Sequence, residues 1–290
     1  MGNVRIMVDT TACIPPDLAQ KYKIKIVPAA DYIVNGKKYI ENVTITTKDA
    51  YKYIRDESVK ITTSAITPGV ILEAYQELAK ETQDILFITI SSGLSAVDKS
   101  GITAATLFRE QSPKTNIKVI DSKSVAGGFG LPALAAAKAA AKGLSLEQVS
   151  NIATEYLKQT KCILTMDTLR YIYRTGRMSK MSARIASLFS IRPINMVTEA
   201  GTIEMIERVR NREDAMNHVV ELVKKTAPDA NLSFMISHGD ALDLAGTLAE
   251  KLKNVVKVQD LIISDYSPIM GYGGGPGAMC IAFHPELKLF

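Results

Sequence analysis

Apolar runs of strand length alternate with helical patterns along the first half of the chain, and this alternation limits the fold more than any other feature. Val4–Val8, Ile85–Ile90 and Ile117–Ile120 are short β-branched runs, each followed by a turn and then by a helical pattern. Strands that alternate with helices predict a largely parallel sheet covered by helices. In such sheets, ligands bind beyond the carboxyl ends of the strands.

Local signals predict further elements in this half. Ile24–Ala30 is expected to form another strand, and Asn35-Gly36 predicts a two-residue hairpin turn. Residues 131–142 are expected to form a helix that Gly143 closes. Ser145 and Gln148 have the spacing of a capping box, which predicts the start of the next helix.

Short hydroxyl-rich segments follow the apolar runs and are predicted to be turns. They are 62–69, 91–95 and 121–122. Hydroxyls and free backbone N–H groups at strand-to-helix junctions hold small anions, so these segments are expected to converge on one crevice. Ordinary capping is the alternative, because Ser and Thr are preferred N-caps. Segment 62–67 has four hydroxyls, however, which is more than one cap uses.

The composition argues against several classes of protein. Of the 290 residues, 47% are hydrophobic, which excludes disorder, and the net charge of +5 with no Trp gives little support to nucleic-acid binding. The three cysteines form no CxxC pair, so we expect reduced thiols, no metal site and a cytoplasmic protein. Neither a signal peptide nor a membrane span is predicted, because the chain enters a strand at once and has no 18-residue apolar stretch.

The second half of the chain has a different pattern. Ile191–Val197 and Thr202–Val209 predict an antiparallel hairpin, and residues 212–226 predict a helix. Gly271–Gly277 is expected to be a loop between two strands, where it either shapes a pocket wall or cradles a phosphate. It does not fit a P-loop, because no Gly-Lys-Ser/Thr follows.

Conventional catalytic patterns are missing from the sequence. The three histidines have no metal-ligand spacing, and the Gly-x-Ser-x-Gly pattern of a hydrolase elbow is absent. These observations favour a protein that holds a carboxylate or phosphate over one that cleaves a bond.

Residues 168–198 are strongly basic and contain no Asp or Glu. This segment is either a solvated face or a dock for an acidic protein partner or an anionic membrane. Its basic residues are Arg170, Arg174, Arg177, Lys180, Arg184 and Arg192.

Short motifs spread over nearly the whole chain resemble those of the DegV family. The resemblance rests on eight segments that occur in the family's order. They are Val8-Asp9-Thr10-Thr11-Ala12, Thr63-Ser64 with Thr67-Pro68-Gly69, Ser91-Ser92-x-Leu94-Ser95, Asp121-Ser122-Lys123, Thr168-Leu169-x-Tyr171 with Gly176-Arg177, Arg192-Pro193-Ile194, His238-Gly239-Asp240 and Gly275-Pro276-Gly277.

The resemblance implies a fold of two α/β domains with the ligand between them. The change of pattern between the two halves of the chain predicts the boundary, with a parallel-sheet N-terminal domain at 1–163 and a mixed-sheet C-terminal domain at 164–290. The resemblance implies a long-chain fatty acid in a buried apolar tunnel, with no cofactor. It also implies a lipid-binding, non-catalytic subunit that presents the carboxylate to a separate ATP-dependent kinase, whose acyl phosphate product enters phospholipid synthesis.

The same resemblance assigns roles to particular residues. The carboxylate is expected to bind at Thr63, Ser64, Ser95 and Ala96, through hydroxyls and backbone N–H groups. The candidate residues of the surrounding pocket are Ser92, Ser122, Gly273 and Gly274. The candidate face for the kinase or an anionic membrane consists of Arg170, Arg174, Arg177 and Arg184.

The chain departs from the family pattern near the expected head-group site. Ser95-Ala96 replaces a frequent Ser-Gly, and Val97-Asp98-Lys99 replaces Thr-Tyr-Gln. Gly273 stands where kinase-linked members often have His, which removes a head-group partner. Two alternatives therefore stay open: a regulatory module for another small acid, and a phosphotransferase that uses Gly271–Gly277.

Overall fold

The computed structural model describes residues 4–177 and 191–287. Its strands are β1 (Val4–Asp9), β2 (Lys25–Val27), β3 (Ala30–Val34), β4 (Lys37–Tyr39), β5 (Ile61–Ala65), β6 (Asp84–Thr89), β7 (Asn116–Asp121), β8 (Lys161–Thr165), β9 (Arg192–Val197), β10 (Ile203–Val209), β11 (Asn231–His238), β12 (Lys257–Asp265) and β13 (Met279–Pro285). Its helices are α1 (Pro16–Lys21), α2 (Thr47–Arg55), α3 (Pro68–Leu78), α4 (Val97–Gln111), α5 (Gly127–Ala141), α6 (Leu146–Gln159), α7 (Arg170–Thr175), α8 (Arg212–Thr226), α9 (Leu242–Lys253) and α10 (Pro268–Gly274).

The N-terminal part contains a parallel sheet and a small antiparallel one. The parallel sheet has the strand order β2-β1-β6-β7, which confirms the architecture expected from the alternating pattern. The antiparallel sheet has the order β4-β3-β5, with Asn35-Gly36 at the predicted hairpin turn.

The C-terminal part contains a mixed six-stranded sheet with the order β10-β9-β8-β13-β11-β12. Its pairs are antiparallel except for β11 with β12, and β9 with β10 forms the predicted hairpin. β8 lies across the division predicted at 163/164, and that division stays a prediction.

Helix α5 packs between the parallel sheet and the mixed sheet, with contacts to β1 and β13. Almost all of its residues are buried, and most of them are Ala or Gly. These small side chains allow a close approach: a Cβ added at Gly130 would lie 2.4 Å from the Ala12 carbonyl oxygen. The Ser91 hydroxyl also joins the two parts, because it donates to the Gly201 carbonyl at 2.7 Å.

The structure corrects four predictions of secondary structure. Residues 61–65 form a strand that pairs with β3, so this hydroxyl-rich segment is not a turn. Residues 271–274 are the end of α10 rather than part of a loop. The run Ile24–Ala30 is divided between β2 and β3, with Pro28 between them, and α5 begins four residues earlier than predicted.

Candidate functional site

A cavity lies where β5, the turn after β6 and α10 meet. It encloses about 770 Å³ including the solvent at its mouth. Most of its wall is apolar, with Ile90, Leu94, Val125, Leu164, Met166 and Ile172 among the lining side chains. A predominantly apolar cavity with few polar groups is typical of a small-molecule site.

Two of the predicted carboxylate-binding residues, Thr63 and Ser95, line this cavity. Thr63 belongs to β5, and Ser95 lies in the connection between β6 and α4, so the fold brings together a strand of one sheet and a loop that follows a strand of the other. Both side chains are partly exposed, and neither hydroxyl has a hydrogen-bond partner among residues 4–177 and 191–287. Both hydroxyls are therefore available to a ligand.

The other two predicted carboxylate-binding residues are exposed and do not line the cavity. The Ser64 hydroxyl donates to Asp31 at 3.1 Å, because it projects from the opposite face of β5 to Thr63. Ala96 is the N-cap residue of α4 and has no side-chain hydrogen bond to cap the helix. Ala96 can therefore contact a ligand carboxylate only through its backbone groups.

The predicted pocket residues divide into two pairs. Gly273 and Gly274, at the end of α10, line the cavity. Ser92 and Ser122 do not: the Ser92 hydroxyl donates to Asp121 at 2.6 Å, and the Ser122 hydroxyl donates to the Ser124 carbonyl at 3.3 Å. Ser92 and Ser122 thus stabilise the turns that follow β6 and β7.

The basic residues of 168–177 have three different environments. Arg170 is exposed and pairs with Glu57. Arg174 lies over the Tyr272 ring at 4.2 Å from its centroid and donates to the Tyr272 carbonyl at 3.1 Å. Arg177 lines the cavity. Arg184, the fourth predicted residue of this face, lies outside the described residues.

Arg177 is a cationic residue of the cavity lining, and the sequence analysis assigned it only to a partner face. Its Nε donates to the Leu94 carbonyl at 3.4 Å, which places the guanidinium beside the turn that carries Ser95. The Gly176 that precedes it has a φ of +70°, and this left-handed residue ends α7 and redirects the chain. The Gly176-Arg177 motif was the sequence feature that could have indicated a place for Arg177 in the site.

Two buried carboxyl groups lie behind the cavity wall. Asp9 accepts from the Ile90 amide at 2.7 Å and from the Thr11 amide at 3.0 Å. Glu41 accepts from the Ile269 amide at 2.9 Å. Burial raises the pKa of Asp9 to about 6 and that of Glu41 to about 7, although their hydrogen bonds act in the opposite direction.

The backbone of the glycine-rich segment is internally hydrogen-bonded. The amide of Gly275 donates to the Gly271 carbonyl at 2.8 Å, and that of Gly277 donates to the Gly239 carbonyl at 2.8 Å. The Ala278 amide donates to the Gly275 carbonyl at 3.3 Å. N–H groups that are already paired do not form a phosphate cradle.

No cluster of three or more potential metal ligands occurs within residues 4–177 and 191–287. His238 and His284 are buried, and burial lowers the pKa of each imidazole. Neither histidine lines the cavity. In the same part of the chain, no helix has the length and hydropathy needed to cross a bilayer.

Comparison with known proteins places this chain in a family. The family model described as "Uncharacterised protein, DegV family" matches residues 3–286. The chain belongs to the DegV family, as the sequence motifs indicated. A DegV domain-containing protein of Clostridium perfringens is 30% identical over 285 residues, which are 98% of this chain and 99% of that protein.

Solved structures confirm the fold. A DegV family protein from Thermus thermophilus, whose crystal structure is reported for its fatty acid binding, superposes with a TM-score of 0.88 at 22% identity over 98% of this chain and 100% of that one. The Fatty Acid Kinase (Fak) B3 protein of Streptococcus pneumoniae, crystallised loaded with linoleic acid, gives 0.86 at 19% identity over 98% and 99%.

Proposed function

We propose that this protein binds a long-chain fatty acid in the cavity and presents its carboxylate to a separate ATP-dependent kinase. The observation that carries the proposal is the cavity itself, which combines an apolar wall with the hydroxyls of Thr63 and Ser95, for which the described part of the chain offers no hydrogen-bond partner. The fatty acids of the Thermus and Streptococcus proteins support the choice of ligand class.

The energetics favour an acyl chain over a small polar acid. Each buried CH₂ group contributes about 0.8 kcal/mol, so the tail supplies most of the affinity. The hydroxyls of Thr63 and Ser95 donate to the carboxylate, with backbone N–H groups at the start of α4 assisting. The Arg177 guanidinium beside this turn adds a positive charge that attracts the anionic head group.

The kinase step is tested separately from fatty acid binding. The fatty acid kinase protein of Streptococcus supports such a partner, and the exposed cation of Arg170 suits an acidic protein surface or an anionic membrane. Gly273 lines the cavity where kinase-linked members often have His. Among the described residues, the nearest neighbours of a Cβ added at this position are Ile172 and Thr175, each at 4.0 Å, so a β-carbon fits without a clash.

The two alternatives predict different ligands. A regulatory module for another small acid would hold a polar molecule in the cavity. A phosphotransferase that uses Gly271–Gly277 is disfavoured, because the backbone N–H groups of Gly275 and Gly277 donate to internal carbonyls.

Mass spectrometry of the purified protein, first native and then denatured, tests the binding proposal. We expect one fatty acid per chain, released on denaturation, with its mass giving the acyl length. A protein that carries no lipid and takes none up from added oleate would contradict the proposal.

Incubation of the loaded protein with a purified fatty acid kinase subunit and ATP then tests presentation of the carboxylate to the kinase. Gly273→His is expected to increase acyl phosphate formation over the parent chain.

A further inference from the structure

Glu41 is a buried acidic residue that contacts three segments distant from it in the sequence. It follows β4 and is only 2% exposed. Its carboxyl oxygens accept hydrogen bonds from the Ile269 amide at 2.9 Å, the Ala29 amide at 3.4 Å and the Thr10 hydroxyl. The Ala29 amide also donates to the Thr10 hydroxyl at 3.1 Å, so the segments form one connected network.

Each of these segments supplies part of the cavity wall. The lining residues next to the contacts of Glu41 are Thr11, Ala29, Ala30, Ile269 and Met270. Glu41 itself does not line the cavity. Its carboxyl group therefore fixes the wall from behind, without reaching a ligand.

Helix α10 depends strongly on this support. It has seven residues, and three of them are glycines, which are poor helix formers. Pro268 has no N–H group, Glu41 accepts from the Ile269 amide, and the Ser267 hydroxyl accepts from the Met270 amide at 3.3 Å. The first-turn donors of α10 are thus paired by one local side chain and one distant side chain.

Burial of a carboxyl group in a protein core costs free energy, because the group loses its hydration. A hydrophobic residue of similar size would fill the volume without burying a carboxyl group, but it would leave the Ile269 amide without its acceptor, whereas the Ala29 amide would keep its bond to the Thr10 hydroxyl. The arrangement is explained by the need to hold α10 at a fixed distance from the Thr10–Thr11 turn.

We propose that Glu41 is a positioning residue that holds the α10 wall of the cavity in place and so determines how tightly the acyl chain is bound. This inference rests on the proposed fatty acid binding. It extends that proposal by identifying a residue that acts on the ligand only through Ile269 and Met270.

Binding of oleate to delipidated protein tests the inference, with Glu41→Ala and Glu41→Gln compared. Glu41→Ala is expected to weaken binding by about tenfold, since the buried Ile269 amide loses its acceptor and the Thr10 hydroxyl and Ala29 amide each lose one partner. Glu41→Gln keeps an oxygen for the Ile269 amide and an NH₂ group for the Thr10 hydroxyl, so it is expected to remain within about threefold of the parent. Val223→Ala, a cavity-creating change in the separate core beneath α8, is the control for a general loss of stability.

Hydrogen exchange of the ligand-free proteins provides a readout that does not require fatty acid binding. Faster exchange at residues 269–274 in Glu41→Ala, but not in Val223→Ala, is expected.

If Glu41→Ala is poorly folded, Ser267→Ala replaces it, because this change removes the other cap of α10. Unchanged exchange at 269–274, or equal losses of binding in Glu41→Ala and Val223→Ala, would overturn the inference. If the parent chain binds no oleate while exchange at α10 still rises, the fatty acid proposal fails and the anchoring of α10 by Glu41 stands.

Discussion

The Arg174 guanidinium lies 4.2 Å from the ring centroid of Tyr272 and donates to the carbonyl of the same residue at 3.1 Å. Its centre also lies 4.9 Å from the Tyr171 ring centroid. Burial lowers the pKa of Arg174, although the guanidinium stays charged at any ordinary pH. Arg174 thus links α7 to α10, and these contacts stabilise the fold.

Replacement of Arg174 should therefore destabilise the protein, whereas replacement of Arg170 should not. Arg174→Ala removes a cation–π contact and a hydrogen bond, and we expect the free energy of unfolding to fall by about 1–2 kcal/mol. Arg170→Ala removes only an ion pair between exposed side chains and is expected to change stability very little. Urea denaturation of both variants measures the difference, and equal losses would show that Arg174 does not fasten the two helices.

This contrast determines which variant can test partner binding. Because Arg170 is exposed and contributes little to folding, Arg170→Glu is suited to a binding assay with a kinase or with anionic vesicles. Charge reversal at Arg174 would combine a loss of binding with a loss of stability.

Removal of the Thr63 hydroxyl should weaken fatty acid binding selectively. Thr63→Ala is expected to cost about 1 kcal/mol if the hydroxyl acts as a neutral partner, and up to about 3 kcal/mol if it donates to a charged carboxylate. Thr62→Ala is the control, since Thr62 is the adjacent residue of β5 and its side chain points to the opposite, exposed face. Titration of delipidated protein with oleate gives both affinities. Equal affinities for the two variants would place the head group elsewhere.

Elements with local signals could be predicted from the sequence. The helix predicted at 212–226 has the same bounds in the structure, and Asn211 caps it through the Asp214 amide. The capping box of Ser145 and Gln148 is present as predicted. Both features depend on residues within one helical turn, which is why sequence spacing reveals them.

Elements that depend on distant partners could not be predicted. Residues 61–65 form a strand because β3 pairs with them, and their hydroxyls alone suggested a turn. α10 is glycine-rich, and its N-terminus is held by Glu41 from a position 228 residues earlier. The same reason applies to the site: motifs identified Thr63 and Ser95, but no sequence pattern connected Glu41 to the cavity wall.

The stability of the protein should fall as the pH rises through the pKa of Glu41. This carboxyl has a pKa of about 7 in the folded protein, above its ordinary value of 4.5. Between these values the folded state binds more protons than the unfolded state, so the free energy of unfolding decreases with increasing pH. The full effect is on the order of 3 kcal/mol, present below about pH 4.5 and lost above about pH 7.

Glu41→Gln isolates this contribution from those of other buried groups. Asp9 acts in the same direction, with a pKa raised to about 6, whereas the lowered pKa values of His238 and His284 act in the opposite direction. These groups are common to both proteins and cancel in the difference. We expect Glu41→Gln to gain stability relative to the parent between pH 5.5 and 8.5 in urea denaturation. A difference that is constant across this range would contradict the assignment.

Glycine is required at position 275 for two separable reasons. Gly275 has a φ of +78°, which disfavours other residues, and an added Cβ would lie 2.1 Å from the Tyr171 ring. Gly36 has a φ of +84° with nothing within 4 Å of an added Cβ, so Gly36→Ala measures the conformational cost alone. We expect about 1–2 kcal/mol for Gly36→Ala and roughly 2–4 kcal/mol for Gly275→Ala, since the latter adds overpacking against Tyr171.

Gly273→Ala completes the comparison, because it lies in the same segment with neither constraint. An added Cβ has its nearest neighbours at 4.0 Å, and its φ lies outside the left-handed region. Alanine is the better helix former, so this variant should be as stable as the parent or more stable by up to about 1 kcal/mol. Thermal unfolding of the three variants should give the order Gly273→Ala, Gly36→Ala, Gly275→Ala from most to least stable. If Gly275→Ala were no worse than Gly36→Ala, the Tyr171 ring of α7 would not be packed against the backbone of Gly275 at the end of α10.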